Sequence, residues 1–210
     1  MKVASPDLTR ASCAVSWARS KPAADAAKAA AAAATSAAEF DLTQLTTQLA
    51  RVKSGEATFT EKRRVEMLDR TLESSGRLAF RAPDTFIRET LKPRREKLEV
   101  TGNVLTMSLG ERSRTLQLDS APEAAVIVEA VRGTLTGNRE SLERLFDASV
   151  SGSAERWALE LVPRDLRLRG QVASVRVSGR GPAVHEVQVL LADGDRSTMT
   201  IEPLPGGATP

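Results

Sequence analysis

Cysteine occurs once in these 210 residues, at Cys13, so neither an intrachain disulfide nor a zinc site built from several thiolates can form. Histidine also occurs once, at His185, and tyrosine is missing. General-base and metal-ligand chemistry thereby loses its commonest side chain. Aromatic residues make up only 3% of the chain, too few for the stacking platforms that hold single-stranded nucleic acid. No run of about 18 apolar residues occurs, so no segment reads as a membrane-spanning helix. Net charge is +3, and residues 1–39 carry +2 of it (Lys2, Arg10, Arg19, Lys21 and Lys28 against Asp7, Asp25 and Glu39). The remainder is close to neutral, with basic residues interspersed among Glu and Asp, so a nucleic-acid partner is not expected.

What is present divides into a biased leader and a patterned body. Residues 1–38 are low in complexity, and Ala29 to Ala34 form an unbroken alanine run. So few large apolar side chains cannot offset the entropy of ordering the chain. Lys2 could begin a secretory signal and Ser36-Ala37-Ala38 resembles a small-residue cleavage site, but Asp25 and Lys28 interrupt the apolar middle. A degenerate signal and a disordered alanine-rich leader both remain open. At the other end, residues 205–210 read as a disordered tail.

From residue 39 to 204 the hydrophobic period changes several times. Asp41 with Gln44 has capping-box spacing, and Leu42, Leu45, Leu49 and Val52 recur at three and four residues, predicting a helix that ends near Gly55. Short alternating runs then predict strands at 56–68, 72–81, 85–91, 95–101, 104–109 and 113–118. Gly102-Asn103 and Gly110-Glu111 supply turns between the last of them. Helical spacing returns at 123–135 and 138–147, and strands resume at 156–162, 168–178, 184–191 and 197–202. No strand–helix–strand alternation appears, which argues against a doubly wound sheet. The expected class is α+β, mainly β: a strongly curved antiparallel sheet, an unclosed β-barrel, with a helical lid over its opening.

A period of two gathers Leu78, Phe80, Leu105, Met107, Leu116, Leu118, Trp157, Leu159, Leu161, Val175, Val177, Val187 and Val189 on one face. These residues either line a cavity for acyl chains or pack against the helices as a solid core; alternation alone leaves both open. Ile127, Val131, Leu135, Leu142, Leu145 and Phe146 are the apolar positions of the two lid helices. Met67 and Met107 suit a wall that adapts to different chains. Arg88, Arg94 and Arg95 are candidate head-group contacts at the rim, because guanidinium groups bind anions in two-pronged fashion. No catalytic constellation emerges, and neither a metal nor a cofactor is expected. His185 has no second histidine or cysteine near it, and Ser174, Ser178 and Ser197 lie in strand-like runs without a nucleophile elbow. Gly179-Arg180-Gly181 leads into Pro182 instead of a helix, so it is no phosphate cradle. Asp193 and Asp195 fall in a turn, where solvent would leave them ordinary.

Several motifs occur in an order that resembles the LolA family of periplasmic lipoprotein carriers. They are Phe59-Thr60-Glu61; Gly76 to Pro93, with its G-x-L-x-F-x-x-P-D step at Gly76 to Asp84; Leu135-Thr136-Gly137-Asn138 with Leu142 to Phe146; and Trp157 to Pro163. The resemblance spans roughly 40–204. It implies an unclosed barrel with a helical lid and an apolar cavity that takes the acyl chains of lipoproteins or lipids. It further implies a monomeric, non-catalytic periplasmic chaperone that receives cargo from an inner-membrane exporter and delivers it to an outer-membrane acceptor. Two family positions differ: the arginine directly before the first proline is Ala82 here, and the tryptophan of the following strand is Arg88. Arg81 cannot replace the first, because neighbouring strand residues face opposite sides. The reading from another class is a non-catalytic lipid- or protein-sensing domain that binds a partner through a sheet edge.

Overall fold

The computed structural model describes residues 40–204. The expected leader at 1–38, with Cys13, and the expected tail at 205–210 lie outside the described residues.

The described residues open with helix α1, Leu42–Leu49, whose first turn is capped by Asp41 Oδ1 accepting from the Gln44 amide at 2.8 Å. It is shorter than its spacing predicts. The Lys53 carbonyl accepts from the Ala82 amide at 2.7 Å, and Ser54 already begins β1, so the sheet takes the backbone before Gly55. Strands β1 (Ser54–Val65) and β2 (Arg70–Arg81) form a long hairpin, tipped by one 3-10 turn at Glu66–Leu68. Strands β3 (Thr85–Lys92), β4 (Glu96–Thr101), β5 (Val104–Leu109) and β6 (Arg112–Gln117) add outward in sequence. Helices α2 (Pro122–Thr136) and α3 (Arg139–Leu145) then carry the chain to the opposite edge. There β7 (Phe146–Gly152), β8 (Trp157–Pro163), the short α4 (Leu166–Arg169), β9 (Val172–Arg180), β10 (Ala183–Leu191) and β11 (Arg196–Pro203) return inward. β11 pairs with β1, giving one antiparallel sheet in the order β6-β5-β4-β3-β2-β1-β11-β10-β9-β8-β7. β6 and β7 do not pair with each other, so the barrel stays open.

Register determines which side chains share the inner face. Phe59 lies opposite Ile201 and Gly76, Leu78 opposite Arg88, Arg88 opposite Leu98, and Leu98 opposite Met107. In the other direction Met199 faces Val187, Val187 faces Val177, and Val177 faces Leu159. Two apolar clusters form where helices cover this face. The larger joins Leu45 and Leu49 of α1, Val126 and Ala130 of α2 and Leu142 of α3 to Trp157, Leu159, Leu161, Val175 and Val177. The smaller joins Val100, Leu105 and Leu118 to Ala124, Ala125 and Val128 on another side of α2. Buried Trp157 keeps its polar edge satisfied: its indole N–H donates to the Gly181 carbonyl at 2.8 Å.

Beyond α1, three further regions differ from the sequence reading. Phe146 is the first residue of β7 and not part of a lid helix, because α3 ends at Leu145. β7 itself was not anticipated; its Asp-Ala-Ser-Val-Ser-Gly run has little β-branched or aromatic character. Residues 166–169 form a helical turn capped by Asp165, so the strand expected from 168 begins at Val172.

Gly137 closes α2 with φ +62°, and the amides of Gly137 and Asn138 donate to Thr134 and Gly133. A Cβ there would stand 2.2 Å from the Thr46 carbonyl oxygen of α1, so the absence of a side chain is also what lets α1 and α2 meet. Gly110 has nearly the same φ, +60°, with nothing within 4 Å. Gly137→Ala is therefore expected to cost about 2–4 kcal/mol, and Gly110→Ala about 1 kcal/mol. Urea unfolding of the two variants checks this; equal losses would mean that the α1 contact adds nothing.

Candidate functional site

The helices cover the two flanks of the inner face and leave its centre open. Between α2 and strands β1–β3, β10 and β11 lies a cavity of about 500 Å³, partly open to solvent. Proteins take small organic ligands in spaces of about 300–1,000 Å³. One end is apolar: Ala57, Leu78, Phe80, Phe86, Val184 and Ile201 form the sheet side, and Ile127, Val131 and Leu135 the α2 side. Phe80 and Phe86 stack across β2 and β3 with centroids 5.2 Å apart.

Twelve of the thirteen apolar wall candidates share the inner face by register; Leu118, expected to end a strand, instead begins a 3-10 turn after β6, and helix coverage divides the rest. Leu78, Phe80, Leu105, Val177, Val187 and Val189 line the cavity. Trp157, Leu159, Leu161 and Val175 lie beneath α1, α2 and α3 in the larger cluster, each 0–2% exposed. Leu118 is buried in the smaller cluster, with Met107 and Leu116 packed against it. None of these seven lines the cavity. Among the lid positions Ile127, Val131 and Leu135 face the cavity, whereas Leu142 is fully buried and Leu145 and Phe146 pack within the larger cluster. Met67 is 93% exposed at the β1–β2 tip, far from the role expected of it.

The other end of the cavity is polar. Glu61 of β1 is an inward position, two residues beyond Phe59, and its carboxylate accepts from three side chains. Ser197 Oγ donates to Oε1 at 2.5 Å, Ser74 Oγ donates to Oε2 at 3.0 Å, and Arg88 Nη2 also donates to Oε2. Arg88 reaches Glu61 from two strands away, crossing β2 beside Gly76 and Ser74. Its guanidinium lies 4.8 Å from the centroid of the Phe59 ring and also donates to Ser74 Oγ at 3.3 Å. Gly76 stands opposite Phe59 at the register shift between β2 and β3, and a Cβ there would lie 1.9 Å from the Glu89 carbonyl oxygen, so its bare backbone is what lets β3 close on β2 beside Arg88. Arg88 therefore lies inside the cavity and not at its rim. Arg94 and Arg95 sit in the exposed turn between β3 and β4 and do not line the cavity.

A second pair, Arg63 and Asp195 at 3.1 Å, stands farther along the same end. Asp195 is only 7% exposed and its Oδ1 accepts from the Glu66 amide at 3.0 Å, which ties the hairpin tip to the β10–β11 turn. The expectation that this aspartate is solvated and ordinary is thus corrected; its neighbour Asp193 is the exposed one. Glu61, Ser74 and the role of Ser197 escaped the sequence reading. A signal existed in the alternation that places Phe59 inward, since it forces Glu61 inward too. His185 is the extra residue of a bulge in β10 and lies outside the cavity lining.

Burial opposes the charge on Glu61, but the Arg88 charge and the Ser197, Ser74 and Arg88 hydrogen bonds outweigh it, so the carboxyl titrates below the usual glutamate range. Its folded pKa lies below its unfolded one. The stability it contributes is therefore complete above the usual range and is lost as pH falls through the lowered value. Glu61→Gln is expected to cost about 1–3 kcal/mol at neutral pH. That gap should narrow as pH falls below about 4. Urea unfolding of both proteins across pH measures it; a gap that widens on acidification would contradict the sign.

The family described as Outer membrane lipoprotein carrier protein LolA-like matches residues 24–208. Among solved structures, the chain is similar to a LolA superfamily protein of Nitrosomonas europaea at 10% identity and TM-score 0.41, covering 75% of this chain and 89% of that one. It is similar to a DUF1329 family protein of Desulfovibrio piger at 10% identity and TM-score 0.45, covering 78% and 89%. A third likeness is to LprF of Mycobacterium bovis, at 8% identity and TM-score 0.33, covering 80% and 97%. No curated protein matches the sequence.

Proposed function

The chain belongs to the LolA-like family of outer membrane lipoprotein carrier proteins, and on that premise we propose that it is a non-catalytic carrier that holds acyl chains of lipoproteins or lipids in the central cavity. The observation that carries this reading is the uncovered centre of the inner face, walled by Leu78, Phe80, Val187, Ile127, Val131 and Leu135. Each acyl methylene moved from water to such a wall contributes about 0.8 kcal/mol, so a long chain is retained without a covalent step. In this role the carrier works in the periplasm as a monomer, taking cargo from an inner-membrane exporter and passing it to an outer-membrane acceptor. No helix among the described residues is long and apolar enough to cross a membrane.

A fluorescent long-chain acyl probe titrated into the full chain tests the reading. Val131 is suited to the control because it faces the cavity and is only half-buried. Val131→Glu should leave cooperative unfolding in place and weaken probe binding about tenfold or more by burying a charge in the wall. Absence of saturable binding by the unaltered protein would refute the carrier reading. Stoichiometric capture of a protein partner with no acyl binding would put the sensing-domain alternative in its place.

A further inference from the structure

We propose that the charge lining the polar end makes the cavity selective for acyl chains carried as uncharged esters or amides, and that Glu61 is the residue that excludes the free fatty acid. This deepens the carrier reading and rests on it. The polar end carries two carboxylates (Glu61 and Asp195) and two guanidinium groups (Arg63 and Arg88), while Glu56 and Glu123, the other charged residues of the lining, are exposed. Both guanidinium groups are already paired, Arg88 with Glu61 and Arg63 with Asp195. An ionised fatty-acid head group entering this end would meet only cations whose charge Glu61 and Asp195 already balance, and would add an uncompensated negative charge. Removing it from water without compensation opposes binding.

The head group cannot simply take Arg88 from Glu61. Ser74 and Ser197 hold the two carboxylate oxygens, from β2 and β11 on either side of β1, so Glu61 is fixed in place whether or not a ligand is present. A neutral carbonyl meets the opposite situation. Arg88 uses Nη2 for Glu61 and Ser74, while Nη1 donates to no described residue. The side chain is 30% exposed and lines the cavity. An ester or amide oxygen can accept from that nitrogen without bringing charge. The chain attached to it would run along the apolar strip from Leu78 toward Phe80, Phe86 and Leu135.

Displacement of phenylnaphthylamine from the full chain compares monopalmitoylglycerol with palmitate, both below micelle formation and at a pH where the acid is ionised. The ester should displace the dye at about tenfold lower concentration. Glu61→Gln leaves Arg88 without a counter-charge and should tighten palmitate about tenfold while changing the ester little. The comparison in the unaltered protein does not depend on that variant folding. Ser197→Ala, which frees one carboxylate oxygen, offers a milder second variant that should move palmitate the same way. Equal displacement by both lipids, or preference for palmitate, overturns the selectivity while the carrier reading stands. Failure of the dye and both lipids to bind removes the carrier reading and this inference together.

Discussion

The inner face of this sheet is broader than the helices laid across it, and most of the molecule's organisation follows from that mismatch. Eleven strands spaced about 4.8 Å apart make roughly 50 Å of sheet. The fifteen residues of α2 extend about 22 Å, and a helix is about 10 Å across. A single layer of short helices can therefore bury the flanks but not the middle. α1 and α3 reinforce α2 over β7–β9, where Leu159, Leu161 and Val175 become fully buried. On the β4–β6 side the small Ala124 and Ala125 bring α2 down onto Val100 and Leu105. Between these contacts the apolar face continues with nothing packed on it. Such a gap in an otherwise dense interior loses dispersion contacts outright unless something fills it.

The sheet places costly groups at one end of that gap, and the cost explains their arrangement. A carboxylate facing an apolar chamber is tolerated only when it is paired and its oxygens are satisfied. Glu61 achieves this with donors from three other strands: Ser74 on β2, Arg88 on β3 and Ser197 on β11. The pairing of β2 with β3 beside Arg88 needs Gly76, since a Cβ there would stand 1.9 Å from the Glu89 carbonyl oxygen. One network thus couples four adjacent strands at the centre of the sheet, where no helix supports them. It does from within the sheet what the helices do at the flanks.

The sequence made the fold legible because period-two alternation and turn residues report directly on a meandering sheet. Leu105, Met107 and Leu109 between Gly102 and Gly110 mark β5 to the residue. The same signal is silent for β7, whose inward residues Ala148 and Val150 are small and whose outward ones are Asp and Ser; only its pairing with β8 makes it a strand. For the site, alternation places twelve of the thirteen apolar residues on one face, Leu118 falling in the turn after β6, but it carries no information about where the helices sit. Trp157 and Leu159 read the same as Val187 in sequence, and only the docking of α1 and α3 separates core from cavity wall. Arg88 shows the converse limit. Its chemistry is readable, but its position inside the cavity depends on Ser74 and Glu61, which lie on two other strands.

α2 is where these requirements meet, because three of its sides perform different tasks. Val126, Ala130, Gly133 and Thr134 are buried against the larger cluster, Ala124, Ala125 and Val128 pack on the smaller one, and Ile127, Val131 and Leu135 face the cavity. The helix is held along its length: Gly137 fixes its end against α1, and Arg132 donates to the Gly102 carbonyl in the β4–β5 turn. A helix anchored in this way fixes the width of the chamber beneath it. The apolar strip is then formed before a ligand arrives, so little of the binding energy goes to ordering the wall. The cavity wall shares residues with both clusters, Val177, Val187 and Val189 with the larger and Leu105 with the smaller, so the packing that holds the helices also sets the shape of the chamber.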